Sequence, residues 1–498
     1  MARSMPKFSV KLKAAVLVVS GWPFGMPGDI QQGIIPSPED AAFGRLACPS
    51  LTRLNLQQQK SEPLLLRSVE LESPKQWKLT LKSDLHWWSG KAVSSSDLET
   101  FLREQICPTV ASALGKEVPC PTFDVASSDP IQGANKGQPL VVKVTWHAQP
   151  EFGPYILNNT AFFRRTGNQA IECAGLYRYR SVGLGEAEFI PAPGYPQKRP
   201  TLRIYEPRNA NKNLRPQVAF TFASGMQPKQ TCSREALLPT VVGILWSDSG
   251  EGVLATSPQA RKALTQILPR GELLRAGARG LGELVTSFIP RQHPGYNHTL
   301  RIRPYNVDDA SAALEKIGWQ RAMAEASRID RKTSKPVVLR FLVQDMDAEG
   351  GDLLQKVIGD SFALLGIQTE FISGATVESN KPNEPNEPKP IDGIIGSFAT
   401  EWPAVSVFRA NYPNRLFQQF TKSNFYRHPD NQRLARIYAQ SLTTGTPDFT
   451  SLQSFHEKLY DAEVFSPIFQ IGTCLDRSAT APAKLDFTDP DWLRLLVL

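Results

Sequence analysis

The clearest apolar pattern in the chain predicts a strand followed by a tight turn and a helix. Tryptophan and leucine alternate with lysine and threonine from Trp77 to Leu81, which is the period of a strand with one buried face. Ser94 is a predicted helix N-cap, with Asp97 as its capping-box partner. Apolar side chains then recur at helical spacing up to Ile106, so one face of the helix is predicted to be buried.

The same two periods predict further strands and helices along the chain. Ser257 is a predicted N-cap, because Pro258 follows it at the first helical position. The predicted strands cover residues 14–19, 141–146, 241–246, 337–343, 367–371 and 391–396, and the main predicted helices begin at 258, 308 or 309, 353 and 431.

Composition excludes several classes of protein. The 498 residues suffice for two to four domains at roughly 100–200 residues each, and 41% hydrophobic with 21% charged residues is ordinary for a soluble globular protein. The net charge of +8 comes without any Lys/Arg cluster interleaved with aromatic residues, so nucleic-acid binding is not predicted. No apolar run reaches the roughly 20 residues that a membrane-spanning helix needs.

The six cysteines leave two interpretations open. They contain no C-x-x-C pair, which argues against a zinc site and permits disulfides. Cys107 and Cys120 bracket a short loop and are the predicted pair, which would imply an oxidising compartment. Cys48 is predicted to be buried or paired. The alternative is six reduced cysteines inside the protein.

The N-terminal region superficially resembles a signal peptide. Three lysines precede a short apolar run from Ala14 to Val19. This run ends at Gly21-Trp22-Pro23 without a small-residue cleavage site. We therefore predict that it forms the first strand of the fold and that an export signal is not evident in this chain.

The strand–turn–helix resembles the N-terminal signature of the family 5 extracellular solute-binding proteins, which serve peptide and nickel ABC importers. In that family a strand ending in Leu-Arg leads to an aromatic residue with Asp-Gly, and then to Thr-Ala-Glu-Asp-Val at the start of a helix. Those places are occupied here by Leu81-Lys82, Trp88-Ser89-Gly90 and Ser95-Ser96-Asp97-Leu98. Ser89 therefore stands where the family has aspartate.

A second stretch of about thirty residues resembles the same family more specifically. The family has a proline-bounded loop, an aromatic–glycine pair and a Pro-Tyr-Asp helix entry in this order. The corresponding segments here are Ser287-Phe288-Ile289-Pro290, His293-Pro294-Gly295-Tyr296-Asn297 and Arg303-Pro304-Tyr305-Asn306. The resemblance extends in the right order over nearly the whole chain.

The resemblance implies an α/β fold of the large, three-subdomain periplasmic-binding-protein type, with mixed sheets and two crossings between its lobes. Lobe I would span residues 10–245, with an inserted subdomain at about 48–165, and residues 470–498 would complete it. Lobe II would span residues 246–469. Both lobes would therefore be discontinuous parts of one chain.

The resemblance also implies a ligand-binding position after the predicted strand 391–396. Peptide-binding members carry an aspartate and an aromatic residue there, and the carboxylate holds the α-ammonium group of the peptide. Glu401 and Trp402 fall on these positions, in a stretch that begins at Phe398. The alternative at this place is a surface glutamate beside a core tryptophan.

Three further residues are candidates for the ligand cleft. Arg409 could face a ligand carboxylate, and Trp246 and Trp22 could form apolar walls. The alternatives are a solvent-exposed arginine and two tryptophans packed in the core.

Catalytic and metal-binding motifs are missing from the sequence. It contains no H-E-x-x-H, no G-x-S-x-G, no P-loop and no dinucleotide-binding glycine fingerprint. The sequence therefore predicts no enzyme, no metal and no cofactor. The glycosylation sequons at Asn158 and Asn297 are short enough to arise by chance.

These expectations combine into one hypothesis and its alternative. The chain would act in the periplasm or at the cell surface, capture a peptide or similar small ligand by closure of its lobes, and deliver it to the membrane permease of an ABC importer. The protein would act as a monomer. Its ligand could also be a metal chelate, a glycoside or another small amine. Alternatively, the same fold has lost its ligand and serves as a scaffold or an assembly subunit, which Ser89 and Glu401 in place of aspartate favour. A third option is a ligand sensor that keeps the ligand but has no transport partner.

Overall fold

The fold is seen in a computed structural model of the chain. The residues that it describes are 16–20, 47–55, 60–114, 118–126, 140–148, 150, 153–166, 171–183, 186–192, 201–205, 218–221, 235–248, 253–321, 323, 326–344, 348–373, 391–399, 423–443 and 447–477.

The described residues form a mixture of strands and helices. The strands are β1 (Val16–Ser20), β2 (Thr52–Asn55), β3 (Lys60–Pro63), β4 (Leu66–Ser73), β5 (Gln76–Leu81), β6 (Thr122–Ala126), β7 (Val141–Thr145), β8 (Phe163–Arg165), β9 (Ile171–Cys173), β10 (Tyr177–Gly183), β11 (Glu186–Pro191), β12 (Thr201–Tyr205), β13 (Val218–Thr221), β14 (Glu235–Trp246), β15 (Gly282–Leu284), β16 (Trp319–Gln320), β17 (Ile329–Asp330), β18 (Lys335–Pro336), β19 (Val338–Gln344), β20 (Gln368–Ser373), β21 (Gly393–Ala399) and β22 (Phe465–Arg477). The helices are α1 (Ser95–Phe101), α2 (Cys107–Leu114), α3 (Gly153–Asn159), α4 (Val253–Thr256), α5 (Pro258–Gln266), α6 (Arg270–Ala278), α7 (Val307–Lys316), α8 (Ala348–Leu364), α9 (Asn424–Arg427), α10 (Pro429–Thr443) and α11 (Phe449–Ala462), and a π-helical turn, Leu102–Ile106, joins α1 to α2.

One mixed sheet of eleven strands forms the centre of the molecule. Its order is β10-β11-β12-β1-β13-β22-β14-β21-β19-β20, and β15 pairs with β22 beside this path. The predicted first strand is confirmed as β1, which lies parallel to both β12 and β13. The sheet therefore joins strands from the first half of the chain to strands from the second half.

Two long neighbouring strands make that junction. The antiparallel strands β14 and β22 contain 12 and 13 residues, about twice the usual strand length. A side chain at Gly243 would lie 2.5 Å from the ring of Phe465 and 2.9 Å from the Ser466 carbonyl, so glycine is required at this position of β14. We call this pair of strands the crossing.

Residues 48–173 form smaller sheets outside the central one. The strand order β4-β5-β7-β6 gives a four-stranded antiparallel sheet, and β2-β3 and β8-β9 are two-stranded pairs. The predicted disulfide between Cys107 and Cys120 is confirmed, and a second disulfide joins Cys48 to Cys173. Cys474 is also disulfide-bonded, so the alternative of six reduced cysteines is wrong.

Two of the predicted helix starts are confirmed by their caps, whereas the helices predicted from 353 and 431 begin earlier, at Ala348 and Pro429. Ser94 Oγ accepts the Asp97 amide at 3.2 Å, and the Asp97 carboxylate accepts the Ser94 amide at 2.9 Å, which completes the capping box. Ser257 caps α5 through the Ala260 amide. Helix α7 is capped by Asn306 and begins at Val307, slightly before the predicted start, because the asparagine side chain accepts an amide of the first turn.

Strand β14 separates two hydrophobic cores. Val241 and Leu245 pack into a core shared by residues of the four-stranded sheet with α10 and α11, whereas Val242 and Ile244 pack into a core lined by α5, α6, α7 and α8. Both faces of β14 are thus buried from Val241 to Trp246, which explains the continuous apolar sequence there. Among the described residues, no helix combines the length and apolar character needed to cross a membrane.

Candidate functional site

Four of the six predicted ligand-binding residues cannot be located in this structure. Trp22, Glu401, Trp402 and Arg409 lie outside the described residues. Phe398 is described by its backbone, which pairs with Val241 in the central sheet.

Trp246 lies in a hydrophobic core and does not line a cleft. Its side chain is 1% exposed, and its ring packs edge-on against Phe341 at a centroid distance of 5.7 Å. The indole N–H donates to Ser466 Oγ at 2.7 Å, so the polar edge is already satisfied. The hypothesis that Trp246 forms a cleft wall is therefore wrong, because its side chain lies in the core lined by α5, α6, α7 and α8.

Residues on both sides of segment 400–422, which itself lies outside the described residues, bond to β14 or to Asp248 just after it. On one side, Ala399 pairs with Thr240 at the end of β21. On the other side, the Asp248 carboxylate accepts the backbone amides of Asn424 at 2.9 Å and Phe425 at 2.7 Å. The described residues on either side of the segment that contains Glu401, Trp402 and Arg409 are therefore held at β14 and at Asp248, two residues after it.

A buried glutamine holds the middle of the crossing. Gln470 is 0% exposed, and its amide nitrogen donates to the Leu238 carbonyl at 2.7 Å and to Gln292 Oε1 at 2.6 Å. Its amide oxygen accepts the Arg291 amide at 2.9 Å. The pairing register of β14 shifts between Leu237 and Val241, so Gln470 bonds to the carbonyl that this irregularity frees.

Sequence analysis missed Gln470, although a signal was present. Gln470 carries a polar amide side chain between two apolar residues, Phe469 and Ile471. A polar side chain in a buried strand requires hydrogen-bond partners. Its partners are distant in sequence, so the pattern alone could not name them.

The signature turn carries a cluster of charges that we call the Arg164 network. Arg164 donates to Asp97 at 3.0 Å and to Glu172 at 2.8 Å, and its guanidinium lies 4.7 Å above the ring of Trp87. The Trp87 indole also donates to Asp97 at 3.0 Å, and the Ser89 amide donates to Glu172 at 2.6 Å. Every charge in the network is paired within the chain, which gives it a structural role.

The pKa values of the two acids in this network follow from their partners. Burial alone would raise the pKa of Asp97, but the amide and hydroxyl of Ser94, the Trp87 indole and Arg164 donate to it and lower its pKa below the ordinary value. Burial likewise opposes ionisation of Glu172, and donation from Ser89 and Arg164 lowers its pKa. Both acids are therefore stabilised as carboxylates.

Two buried histidines, which we call the histidine pair, differ from the acids of the Arg164 network because burial decides the direction of their pKa shifts. Burial lowers the pKa of His293 to about 3, and burial together with the neighbouring His293 lowers the pKa of His456 to about 3. His293 Nδ1 accepts the Gly295 amide at 2.9 Å. The Nε2 atoms of both rings are buried and have no hydrogen-bond partner.

Neither histidine belongs to a metal site. The described residues contain no group of three or more His, Cys, Asp or Glu side chains placed to hold a metal ion. The two sequon asparagines are also unavailable, because Asn158 is 1% and Asn297 is 4% exposed and both side chains bond within the chain.

Solved structures of binding proteins share this fold over nearly the whole chain. NikA from Brucella suis in complex with Fe(III)-EDTA has a TM-score of 0.73 at 12% identity, over 97% of this chain and 99% of that chain. The oligopeptide-binding protein AppA from Bacillus subtilis in complex with a nonapeptide has a TM-score of 0.66 at 13% identity, over 96% and 97%. A periplasmic oligopeptide-binding protein from Thermotoga maritima has a TM-score of 0.65 at 15% identity, over 94% and 93%.

No protein-family model matches the sequence, and no curated protein matches it. The similarity is therefore carried by structure, at sequence identities of 12 to 15%. The predicted fold class is confirmed, and the resemblance on which it rested is confirmed at the level of the fold: the chain has the α/β periplasmic-binding-protein-like fold of the solute-binding proteins for peptides and nickel.

Proposed function

We propose that this protein is an extracytoplasmic solute-binding protein. It captures a peptide or a similar small ligand between two lobes and delivers it to the membrane permease of an ABC importer. Proteins with the same fold are known in complex with a nonapeptide and with Fe(III)-EDTA, which supports ligand capture and argues for a non-enzymatic role.

The observation that carries the proposal is the bonding of Ala399, Asn424 and Phe425, which flank segment 400–422, to Thr240 in β14 and to Asp248 just after it. The segment contains Glu401 and Trp402, the residues aligned with the amine-binding pair of the family. A binding site is positioned best when the residues around it are held on rigid elements. Glu401 is then the proposed partner of a ligand ammonium, with Trp402 and Phe398 beside it and Arg409 for a ligand carboxylate. Trp22 is proposed as an apolar wall.

The crossing supports the proposed lobes. The proposed lobe I spans residues 10–245, which include an inserted subdomain at about 48–165, and residues 470–498 complete it. The proposed lobe II spans residues 246–469. Strands β14 and β22 run through the sheet where these boundaries fall. Ligand binding would shift an equilibrium between open and closed arrangements of the lobes, with the crossing as the hinge.

The disulfides support the proposed location. Disulfides persist in oxidising compartments such as the periplasm and the cell surface, and this chain carries Cys48–Cys173 and Cys107–Cys120. The permease is the proposed protein partner, and the binding protein is proposed to act as a monomer.

Native mass spectrometry, compared with the denatured mass, tests ligand capture directly. We expect an adduct of a few hundred daltons that is lost on denaturation, or a shift after incubation with a mixed peptide pool. A bare monomer mass that no peptide changes would overturn peptide capture and favour the scaffold alternative.

The variant Glu401→Gln tests the proposed anchor. A charge-assisted hydrogen bond contributes about 1.5–3 kcal/mol, so we expect peptide affinity to fall roughly 10- to 100-fold by calorimetry. Glu370→Gln is the matched control, because Glu370 is a half-exposed carboxylate paired with Arg340. Equal affinities for both variants and wild type would contradict the anchor role while leaving capture itself intact.

A further inference from the structure

One buried arginine lacks the hydrogen bonds that the other buried arginines make. Among the described residues, Arg261, Arg270 and Arg328 are 3%, 8% and 0% exposed. In Arg261 every guanidinium nitrogen donates to a backbone carbonyl, and in Arg328 every guanidinium nitrogen donates to a carbonyl or to a serine hydroxyl. Buried guanidinium groups require such partners, so these two define what a satisfied buried arginine looks like in this protein.

Arg270 has a partner at one of its guanidinium nitrogens. Its Nε donates to the carbonyl of Pro467, close to the start of β22, at 3.0 Å. Within the described ranges, no acceptor lies at hydrogen-bonding distance from Nη1 or Nη2, and no carboxylate forms an ion pair with the guanidinium. The outer edge of a permanently charged side chain is therefore left without a protein acceptor.

The buried acid near Arg270 is already paired with another arginine. Glu463 attracts Arg270 electrostatically, but its carboxylate accepts from Arg303 at both oxygens, at 3.2 Å for Oε1 and 2.8 Å for Oε2. The Arg303 guanidinium is also held 4.1 Å above the ring of Tyr460. Two arginines thus share a single buried carboxylate, which leaves an unbalanced positive charge at Arg270.

The pKa values of the two arginines reflect this unequal sharing. Burial opposes the charge of both, but donation to Glu463 raises the pKa of Arg303 above its ordinary value. For Arg270, burial outweighs the attraction of Glu463 and Tyr460, and repulsion by Arg303 acts in the same direction as burial, so the pKa of Arg270 is lowered. A buried cation without a matching anion destabilises the folded protein.

We propose that Arg270 is the centre of a binding site for a small oxyanion, which Nη1 and Nη2 hold through two parallel hydrogen bonds. Guanidinium groups bind carboxylates and phosphates in this bidentate way. Nη1 and Nη2 keep contact with solvent, unlike the Nε2 atoms of the histidine pair, so an anion can reach them. Because the residue is only 8% exposed, the occupant is a small ion or the end of a small molecule and not the surface of a macromolecule. We call Arg270 with its neighbours Arg303, Glu463 and Pro467 the anion site.

The anion site does not rest on the proposed capture of a peptide. Arg270 begins α6, Pro467 lies in β22 and Glu463 follows α11, so none of them belongs to segment 400–422. Anion binding can be measured on the protein without any peptide. Failure of the anion site and failure of peptide capture are therefore distinguishable.

Calorimetric titration of the full chain at pH 7 with inorganic phosphate, sulfate or acetate tests the proposal, with chloride at equal ionic strength as the reference. We expect saturable binding of one anion per chain and a thermal unfolding temperature that rises with the concentration of that anion. Binding of phosphate and sulfate without acetate would assign the site to a tetrahedral oxyanion, and binding of acetate would assign it to a carboxylate.

Two substitutions of Arg270 separate its charge from its geometry. Arg270→Lys keeps the charge but cannot form two parallel hydrogen bonds, so we expect roughly tenfold weaker anion binding. Arg270→Met removes both and should weaken binding roughly 10- to 100-fold. In chloride alone, Arg270→Met should unfold at the same temperature as wild type or at a higher one, because the uncompensated buried charge is gone.

Arg291→Met is the matched control, because the exposed Arg291 side chain is already paired with Glu283 at 2.7 Å. This variant should bind the anion like wild type. No saturable anion binding by the wild type, or equal losses in Arg291→Met and Arg270→Met, would overturn the anion site and leave Arg270 with a structural role. Circular dichroism excludes misfolding of any variant.

Discussion

The Arg164 network and the histidine pair bury polar groups in opposite ways. In the network, Arg164, Asp97 and Glu172 remain charged because each carboxylate receives several donors. In the pair, His293 and His456 are neutral and keep an unpartnered Nε2 each. A buried charge requires partners, whereas a group that can lose its charge tolerates an apolar site.

The two clusters should therefore respond to acid in different ranges. In the folded protein the pKa of each histidine is lowered from 6.5 to about 3. Below pH 6.5 the unfolded chain therefore binds protons that the folded chain does not bind, and the free energy of unfolding falls. The carboxylates have lowered folded pKa values, so their contribution is present above their unfolded pKa values near 4 and is lost only in stronger acid.

The largest predicted effect is acid destabilisation through the histidine pair. From pH 8 to pH 5, two histidines that stay neutral when folded should lower the free energy of unfolding by about 4 kcal/mol. Urea unfolding at a series of pH values measures this loss.

The double variant His293→Asn/His456→Asn isolates that contribution. Asparagine retains an acceptor near the position of Nδ1 but does not titrate. We expect the variant to be less stable at pH 8 and to have a flatter pH dependence between pH 8 and pH 5. An unchanged slope would show that the histidines are protonated in the folded protein.

The next largest effect is expected from Arg164→Met. The substitution leaves Asp97 and Glu172 partly buried without their common counter-charge, which should cost about 3 kcal/mol at pH 7. Arg340→Met is the matched control, because Arg340 pairs with Glu370, whose side chain is 48% exposed, and should cost less than about 1 kcal/mol. Similar urea midpoints for both variants would refute a special role for the network.

A smaller effect is expected from Ser94→Ala. The Ser94 hydroxyl accepts the Asp97 amide and donates to its carboxylate at 2.8 Å, so its loss should cost about 1 kcal/mol. Ser96→Ala removes a hydroxyl two residues later in α1, which lies 3.0 Å from Ser94 Oγ but does not accept the Asp97 amide, and should change stability by only a few tenths of a kcal/mol. Thermal unfolding of both variants compares them, and a larger loss for Ser96→Ala would contradict the capping assignment.

Local structure followed well from the sequence. The strand from Gln76, the cap at Ser94 and the disulfide Cys107–Cys120 are all confirmed. Each depends on residues that are close in the chain, where spacing alone carries the information.

Long-range partners did not follow from the sequence. Arg164 lies 67 residues from Asp97, and no local pattern marks one arginine among many as its counter-charge. Trp246 shows the same limit, because an apolar strand end is equally compatible with a cleft wall and with a core, and packing against Phe341 and Ser466 decides for the core. The folded arrangement, and not the pattern, distinguishes these cases.

The central position of β22 has a consequence for the order of folding. This strand begins at Phe465, yet it lies between β13 and β14 in the middle of the sheet. The sheet consequently cannot close until residues 465–477 have been synthesised, since its two halves meet through β22, the last strand of the described residues. Contacts of such large sequence separation are slow to form, so the nascent chain exposes unpaired strand edges for longer than a protein with local topology would, and it should depend on chaperones during that interval.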